Sequence, residues 1–216
     1  MNKRQENEKT LWNRVAKSYD RQTQVYAYAY EQSIHKALQH IEADSSVLEI
    51  GCGTGTITFG IAGQAKNVEA IDISERMIEV AGEKAAQYDI SHIHFQVGDA
   101  YHLPYENESF DVILLFNILH VVKDCQTVLK EAYRLLKPGG KLLTATDCYA
   151  EKSSWTSQMK ILVEKLLKRL GLIPYLSIFS KHDLERMLKN HGFELFEKDV
   201  LHYHPVNYYL AGRKVV

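Results

Sequence analysis

Three carboxylates, a run of alternating glycines and one histidine carry the chemistry legible in this chain. Glu49, Gly51, Gly53 and Gly55 fall within one stretch, V-L-E-I-G-C-G-T-G-T, from Val47 to Thr56. An apolar run of strand composition (Val47, Leu48, Ile50) leads into the glycines, and a helix-like segment, Thr56 to Gln64, follows them. Glycine accepts positive φ and has no Cβ, so glycines at alternate positions let the main chain lie directly against a bound molecule. Such a turn can cradle a pyrophosphate, whose fingerprint is G-x-G-x-x-G with backbone N–H groups facing negative charge. Here the spacing is G-x-G-x-G, and Thr56 stands where the third glycine would fall. Glu49, two residues before Gly51, lies at the mouth of the turn, where a carboxylate repels phosphate and welcomes a cation.

Two more acids close strand-like segments. Asn67 to Asp72, N-V-E-A-I-D, ends about 20 residues past Gly51, a spacing at which a carboxylate accepts hydrogen bonds from both hydroxyls of a ribose. His92 to Val97, H-I-H-F-Q-V, alternates as a strand and runs into Gly98, Asp99 and Ala100. Phe110 to Phe116 is almost wholly apolar, the mark of a central strand buried on both faces, and Asn117 falls at its carboxyl end. Ligands of open α/β sheets bind beyond those ends, so Asn117 and His120 are expected to border the site. Of ten histidines, His120 is the one considered for chemistry. Its imidazole can act as a base near neutral pH, orient a substrate, or cap the helix that follows.

The motifs together resemble the class I methyltransferases that depend on S-adenosylmethionine (SAM). The matching residues are Glu49, Gly51, Gly53 and Gly55 in E/D-x-G-x-G-x-G; Asp72, Ser74 and Met77 in D-x-S-x-x-M; Gly98-Asp99-Ala100; and L-K-P-G-G from Leu136 to Gly140. The resemblance implies an α/β fold. It is a Rossmann-like, seven-stranded, mostly parallel sheet with an antiparallel edge strand, helices on both faces, and N-terminal and mid-chain helical caps. It also implies SAM as cofactor and S-adenosylhomocysteine as product, and SAM, being net positive, suits Glu49. On this pattern Glu49 and the loop Gly51, Cys52, Gly53 and Gly55 hold the methionine portion, and Asp72 holds the ribose. Ile73 and Met77 lie against the adenosine. Asp99 accepts from the adenine amine, the Ala100 amide donates to the ring, and Asn117 borders the same site. Tyr19, in W-N-R-V-A-K-S-Y-D, reaches over SAM and covers the methyl, so Tyr19 and His120 are the candidate catalytic residues. No metal is expected. The acceptor is expected to be a small molecule, in the manner of the quinone-biosynthesis methyltransferases. A non-catalytic SAM-binding subunit and an NAD-dependent oxidoreductase are the competing readings.

The elements that must position these residues follow from composition and period. The 216 residues, 45% hydrophobic and 25% charged, suit one domain. Its expected parts are an N-terminal helical cap (1–44), a SAM-binding core (45–147), a helical cap insertion (150–180) and a C-terminal helix with a strand pair (181–216). Leu11, Trp12, Val15, Ala16 and Tyr19 recur at helical spacing, as do Val128, Leu129, Ala132, Leu135 and Leu136. Lys137 to Gly140, K-P-G-G, should stop the latter helix and turn the chain tightly into strand five. Met159, Leu162, Val163, Leu166, Leu167 and Leu170 form an apolar stripe on a basic helix, and 150–179 is the expected specificity region. Ser180 to Asp183, S-K-H-D, reads as a capping box, and Phe193 to Val200 and Val206 to Val215 read as paired strands.

A net charge of -1 argues against a nucleic-acid partner. The charged N-terminus lacks a secretory h-region and no run is long enough to span a bilayer, so a cytoplasmic protein without stable membrane insertion is expected. Cys52, Cys125 and Cys148 are widely spaced, with no zinc-type pairing. His202 and His204 share one face of an extended segment and are read as loop or substrate-rim residues.

Overall fold

Seven strands form one sheet in the computed structural model, which describes residues 3–151, 175–203 and 205–215. In chain order they are β1 (Ser46–Ile50), β2 (Asn67–Asp72), β3 (Ile93–Val97), β4 (Phe110–Phe116), β5 (Leu136–Cys148), β6 (Phe193–Tyr203) and β7 (Val206–Lys214). Their order in space is β3-β2-β1-β4-β5-β7-β6. The first five strands pair in parallel, and β7 runs antiparallel to both β5 and β6. The antiparallel strand therefore sits one place in from the edge, and β6 covers it. Between β1 and β4 the sheet changes its direction of growth, which opens a crevice beyond the carboxyl ends of those strands.

Side-chain alternation explains why the central strands are apolar on both sides. Val47, Val68, Ala70, Val112 and Leu114 face α2 (Ala27–Leu38) and α3 (Thr56–Ile61). Leu48, Ile50, Ile71, Ile113 and Leu115 face α5 (Cys125–Leu135) and α6 (Lys181–Asn190). Each fully buried Leu or Ile contributes about 1.5–3 kcal/mol, so a polar residue inside these strands has to be explained. Glu49 is the one that stands out.

The long first helix, α1 (Lys3–Thr23), crosses the start of α4 (Glu75–Gln87). Asn13 fastens it there, its Oδ1 accepting from the Ser74 hydroxyl at 2.7 Å and from the Arg76 amide at 3.1 Å. Lys9 pairs with Glu75 and Lys84 with Asp20 on the same contact. Through these bonds α1 is held across the crevice.

Three local expectations meet the structure differently. The helix after the glycines ends at Ile61 rather than near Gln64. K-P-G-G does not precede strand five; it bulges out of it. Leu136 already pairs with Phe110, and pairing resumes at Lys141 opposite Val112, with Gly139 at φ +75° in the bulge. A Cβ on Gly140 would approach the Lys137 and Asp111 carbonyls within 2.9 and 3.1 Å, so the bulge needs glycine for space as well as for conformation. The basic amphipathic helix expected from Met159 to Leu170 lies outside the described residues, as does His204.

The capping box forms as read. The Ser180 hydroxyl accepts from the Asp183 amide at 3.1 Å, and Asp183 Oδ2 accepts from the Ser180 amide at 3.0 Å. We expect Ser180→Ala to lower unfolding free energy by about 1 kcal/mol, measured by urea denaturation.

Candidate functional site

β1 ends at Ile50, and the next residues bend back onto the end of β2. The Gly51 and Cys52 amides both donate to the Ile71 carbonyl, at 2.8 and 2.9 Å, and the Gly53 amide donates to Asp72 Oδ2 at 3.0 Å. Gly51, Gly53 and Gly55 all have positive φ, at +78°, +55° and +84°. The three glycines differ in what surrounds them. A Cβ on Gly51 would meet Ile118 Cδ1 at 2.6 Å, and one on Gly55 would meet Phe59 at 2.8 Å. One on Gly53 would find only the Tyr19 ring, at 3.5 Å. Gly53 is thus the position where the absent side chain leaves room for a ligand.

A cleft open to solvent lies over this loop, with about 900 Å³ of space between its walls and across its mouth. It is lined by the loop, by the strand ends Glu49, Ile71, Asp72, Asp99 and Ala100, and by Trp12, Tyr19 and Tyr30 from the first two helices. Ile73, Met77, Cys52 and Asn117 also line it, so every sequence-assigned cofactor residue except Gly55 is on its wall. Gly55 instead caps the start of α3.

The charge of this wall is one-sided. Glu8, Glu49, Asp72 and Asp99 line the cleft, and no Lys, Arg or His is among the lining residues described. Glu49 is buried in the sheet, and its one short bond comes from the Thr58 hydroxyl at 2.5 Å. Burial pushes its carboxyl up to about 7, against the opposing bond from Thr58 and with help from the charge of Asp72. Burial likewise lifts Asp72 to about 6, although the Ser74 and Gly53 amides favour its ionised form. A pyrophosphate would worsen these costs, and a cation would relieve them.

A stability prediction follows with a definite sign. A buried acid whose pKa is raised on folding keeps its proton longer in the folded chain. Its contribution is full below the unfolded value, 4.5 for Glu49, and is lost as pH rises to about 7. Glu49→Gln should therefore gain stability relative to the parent between pH 5 and pH 8, by up to roughly 3 kcal/mol at about 1.4 kcal/mol per pH unit. Denaturation at several pH values checks this. A pH-independent difference would contradict it.

Ser74 caps α4, accepting from the Met77 amide at 3.1 Å, and so sets Met77 in the cleft wall. The Gly98 amide donates to the Asp72 carbonyl at 2.9 Å, which brings Asp99 and Ala100 to the same edge. Tyr19 comes from α1, its ring 6.4 Å from Trp12 and its hydroxyl 3.4 Å from that of Tyr30. Burial raises both phenols above their ordinary value.

His120 does not border the cleft. Asn117, at φ +56°, turns the chain out of β4, and the Val121 and Val122 amides then bond back to the Ile118 carbonyl at 2.9 and 3.2 Å. A single helical turn of this kind puts Ile118, Val121 and Val122 on the cleft side and His120 on the other. The imidazole is buried beside Tyr149, with ring centroids 6.1 Å apart, and burial lowers its pKa. Its expected role as a base at the site is withdrawn on that geometry. His202 bonds the Pro205 carbonyl and packs on Tyr26.

Sequence reading missed Tyr30, Glu8 and the pair Val121 and Val122. Tyr30 had a signal, because Tyr30, Ser33, Ile34 and Ala37 share one helical stripe, with Tyr30, Ile34 and Ala37 packed on the core. Glu8 had none, since its place depends on how α1 crosses the crevice.

Comparison with known proteins covers the parallel part of the sheet and the strand ends of this cleft. Residues 41–192 match the family model described as "Methyltransferase domain". The demethylmenaquinone methyltransferase of Lactobacillus johnsonii is 32% identical over 205 residues, covering 85% of this chain and 83% of that protein. The enzyme of the same name from Staphylococcus haemolyticus is 30% identical and covers 93% and 84%. In fold, the geranyl diphosphate C-methyltransferase of Streptomyces coelicolor, solved with Mg2+, geranyl diphosphate and S-adenosylhomocysteine, superposes with a TM-score of 0.68. It is 17% identical and covers 86% of this chain and 77% of that one.

Proposed function

The chain belongs to the methyltransferase domain family, and from that premise we propose that the acidic cleft binds SAM and delivers its methyl group to a small aromatic acceptor. One observation carries the reading: four carboxylates, no cation among the described residues and a bare glycine backbone line one cleft. SAM supplies a methyl carbon on a positive sulfur, and its transfer leaves a neutral thioether. With the leaving group already activated, the protein's task is alignment, worth on the order of 7–11 kcal/mol.

The residues divide that task by position. Gly53 leaves room for the methionine portion, and Glu49 with the Gly51 to Gly53 loop offsets its positive charge. Asp72 has a carboxylate edge beside the loop for the ribose. Asp99 and the Ala100 amide offer an acceptor and a donor side by side for the adenine. Tyr19, with Trp12 behind it, covers the cleft from α1. No group is assigned as a base.

An apolar acceptor is supported by the apolar part of the lining, Trp12, Phe116, Ile118, Val121 and Val122. Relatives named demethylmenaquinone methyltransferases make a quinol-type ring the first choice. Among the described residues no helix is long and apolar enough to cross a membrane.

A pair of titrations tests the core of the reading. SAM and S-adenosylhomocysteine should bind, NADH should not, and incubation with SAM and 1,4-naphthoquinol should release S-adenosylhomocysteine. Binding of NADH in preference to SAM would overturn the reading. Binding of SAM without release from any acceptor tried would favour the non-catalytic SAM-binding reading instead.

A further inference from the structure

One acid on α1 closes a ring of bonds with the glycine loop and α4. Asp20 Oδ1 accepts from the Thr54 hydroxyl at 2.5 Å, and Asp20 Oδ2 pairs with the Lys84 ammonium at 2.6 Å. Lys84 in turn donates to the Thr54 carbonyl at 3.1 Å. Thr54 is 1% exposed and stands between Gly53 and Gly55, both at positive φ. Its side chain is therefore tied to α1 and its carbonyl to α4, by two charged groups that also bind each other. Asp20, Thr54 and Lys84 are absent from the cleft wall, so any influence on a ligand passes through the residues they hold.

The period of α1 shows what the ring holds. Asn13 and Asp20 are seven residues apart, two turns or about 10.5 Å along the helix, and so share the face that meets α4. Trp12 and Tyr19 repeat that spacing one residue earlier, on the adjoining face, and both line the cleft. Fastening the first pair aims the second: Asn13 secures the Trp12 end and Asp20 the Tyr19 end. Tyr19 Cε1 is the nearest protein atom to a Cβ placed on Gly53, at 3.5 Å, so the Tyr19 ring bounds the space that the bare backbone leaves. Within the ring of bonds, the Asp20–Lys84 pair is partly exposed and contributes little by itself. The bond from the buried Thr54 hydroxyl to a carboxylate is the strong member.

We propose that Asp20, Thr54 and Lys84 are positioning residues that seat the Tyr19 ring over the Gly53 backbone and so pre-form the part of the cleft that takes the methionine portion of SAM. The inference rests on the SAM-binding reading above. A ligand meets a complete wall only while α1 is seated, and its apparent affinity scales with the seated fraction.

Three substitutions test this by calorimetric titration with S-adenosylhomocysteine. Thr54→Val keeps the shape and removes the donor, Thr54→Ser keeps the donor, and Asp20→Ala removes the acceptor at a half-exposed helix position that alanine suits. Thr54→Val and Asp20→Ala should each bind about tenfold more weakly, the loss expected when α1 is seated a tenth of the time. Thr54→Ser should stay within about twofold of the parent, since its hydroxyl restores the bond. A loop that merely loosened would also weaken binding, and Tyr19 separates the two causes. In Tyr19→Leu protein, adding Asp20→Ala should cost less than about threefold, because the ring it aims is gone. If Thr54→Val does not fold, Asp20→Ala with and without Tyr19 carries the test. Parent-like affinity in the folded variants overturns the proposal. So do equal losses in Thr54→Val and Thr54→Ser, or a loss of about threefold or more from Asp20→Ala in the Tyr19→Leu protein. A parent protein that binds no S-adenosylhomocysteine overturns the underlying reading instead.

Discussion

Asp72→Ala is expected to weaken SAM binding by more than tenfold, toward 10²-fold, while the chain stays folded. The binding loss follows from removing a charged acceptor at the end of β2, since a hydrogen bond to a charged group is worth roughly 1.5–3 kcal/mol. Folding survives for a different reason. Burial already lifts the Asp72 carboxyl to about 6, so its removal deletes an unfavourable buried charge at neutral pH. Against that gain stand the Gly53 and Ser74 amides, which lose their acceptor. The two effects oppose each other, and the melting temperature should move by only a few degrees. Calorimetric titration with S-adenosylhomocysteine and a thermal melt on the same sample separate them. Unchanged affinity would remove Asp72 from the site, and a collapsed melt would make it a structural residue.

The second large effect distinguishes two glycines separated by a single residue. Gly53→Ala should cut SAM affinity at least on the order of 30-fold and lower stability by only about 1–2 kcal/mol, the penalty of a left-handed alanine. Its added methyl opens onto the cleft and meets no protein atom nearer than the Tyr19 ring at 3.5 Å. Gly51→Ala carries the same backbone penalty at φ +78° and also drives a methyl into Ile118, whose Cβ would be 3.3 Å away. Overpacking of that kind costs about 1–3 kcal/mol more, so its main effect should appear in urea denaturation. Equal losses of affinity and stability in both variants would contradict the separation.

Apart from Gly55, the residues assigned to a cofactor from the sequence lie in one cleft wall, and that placement was legible because it is local. A strand, a glycine turn and an acid at the next strand end are short-range patterns, and parallel pairing of adjacent strands brings those ends together without further information. Glu49, Asp72 and Asp99 therefore reach one cleft wall as the spacing implied. Positive φ at Gly51, Gly53 and Gly55 is likewise an outcome of residue type. The strand limits at Asn67, Asp72, Phe110 and Phe116 agree for the same reason, since apolar runs end where burial ends.

The rest of the cleft wall was not legible, because it is assembled from distant parts. Trp12 and Tyr19 from α1, Tyr30 from α2 and Asn117 from the end of β4 meet in the cleft wall through strand order and the crossing of α1. His120 shows the converse. It stands three residues from Asn117 and looked like a site residue, yet one helical turn sends it to the other side.

The sequence alone determined the family, the fold class and the placing of Glu49, Asp72 and Asp99 at successive strand ends, since residue type and short spacing carry all three. Tertiary structure alone decided which side chains share the remaining space and which amide faces which. Those relations depend on contacts between segments up to 90 residues apart, as between Asn117 and Asn207, and no local period records them.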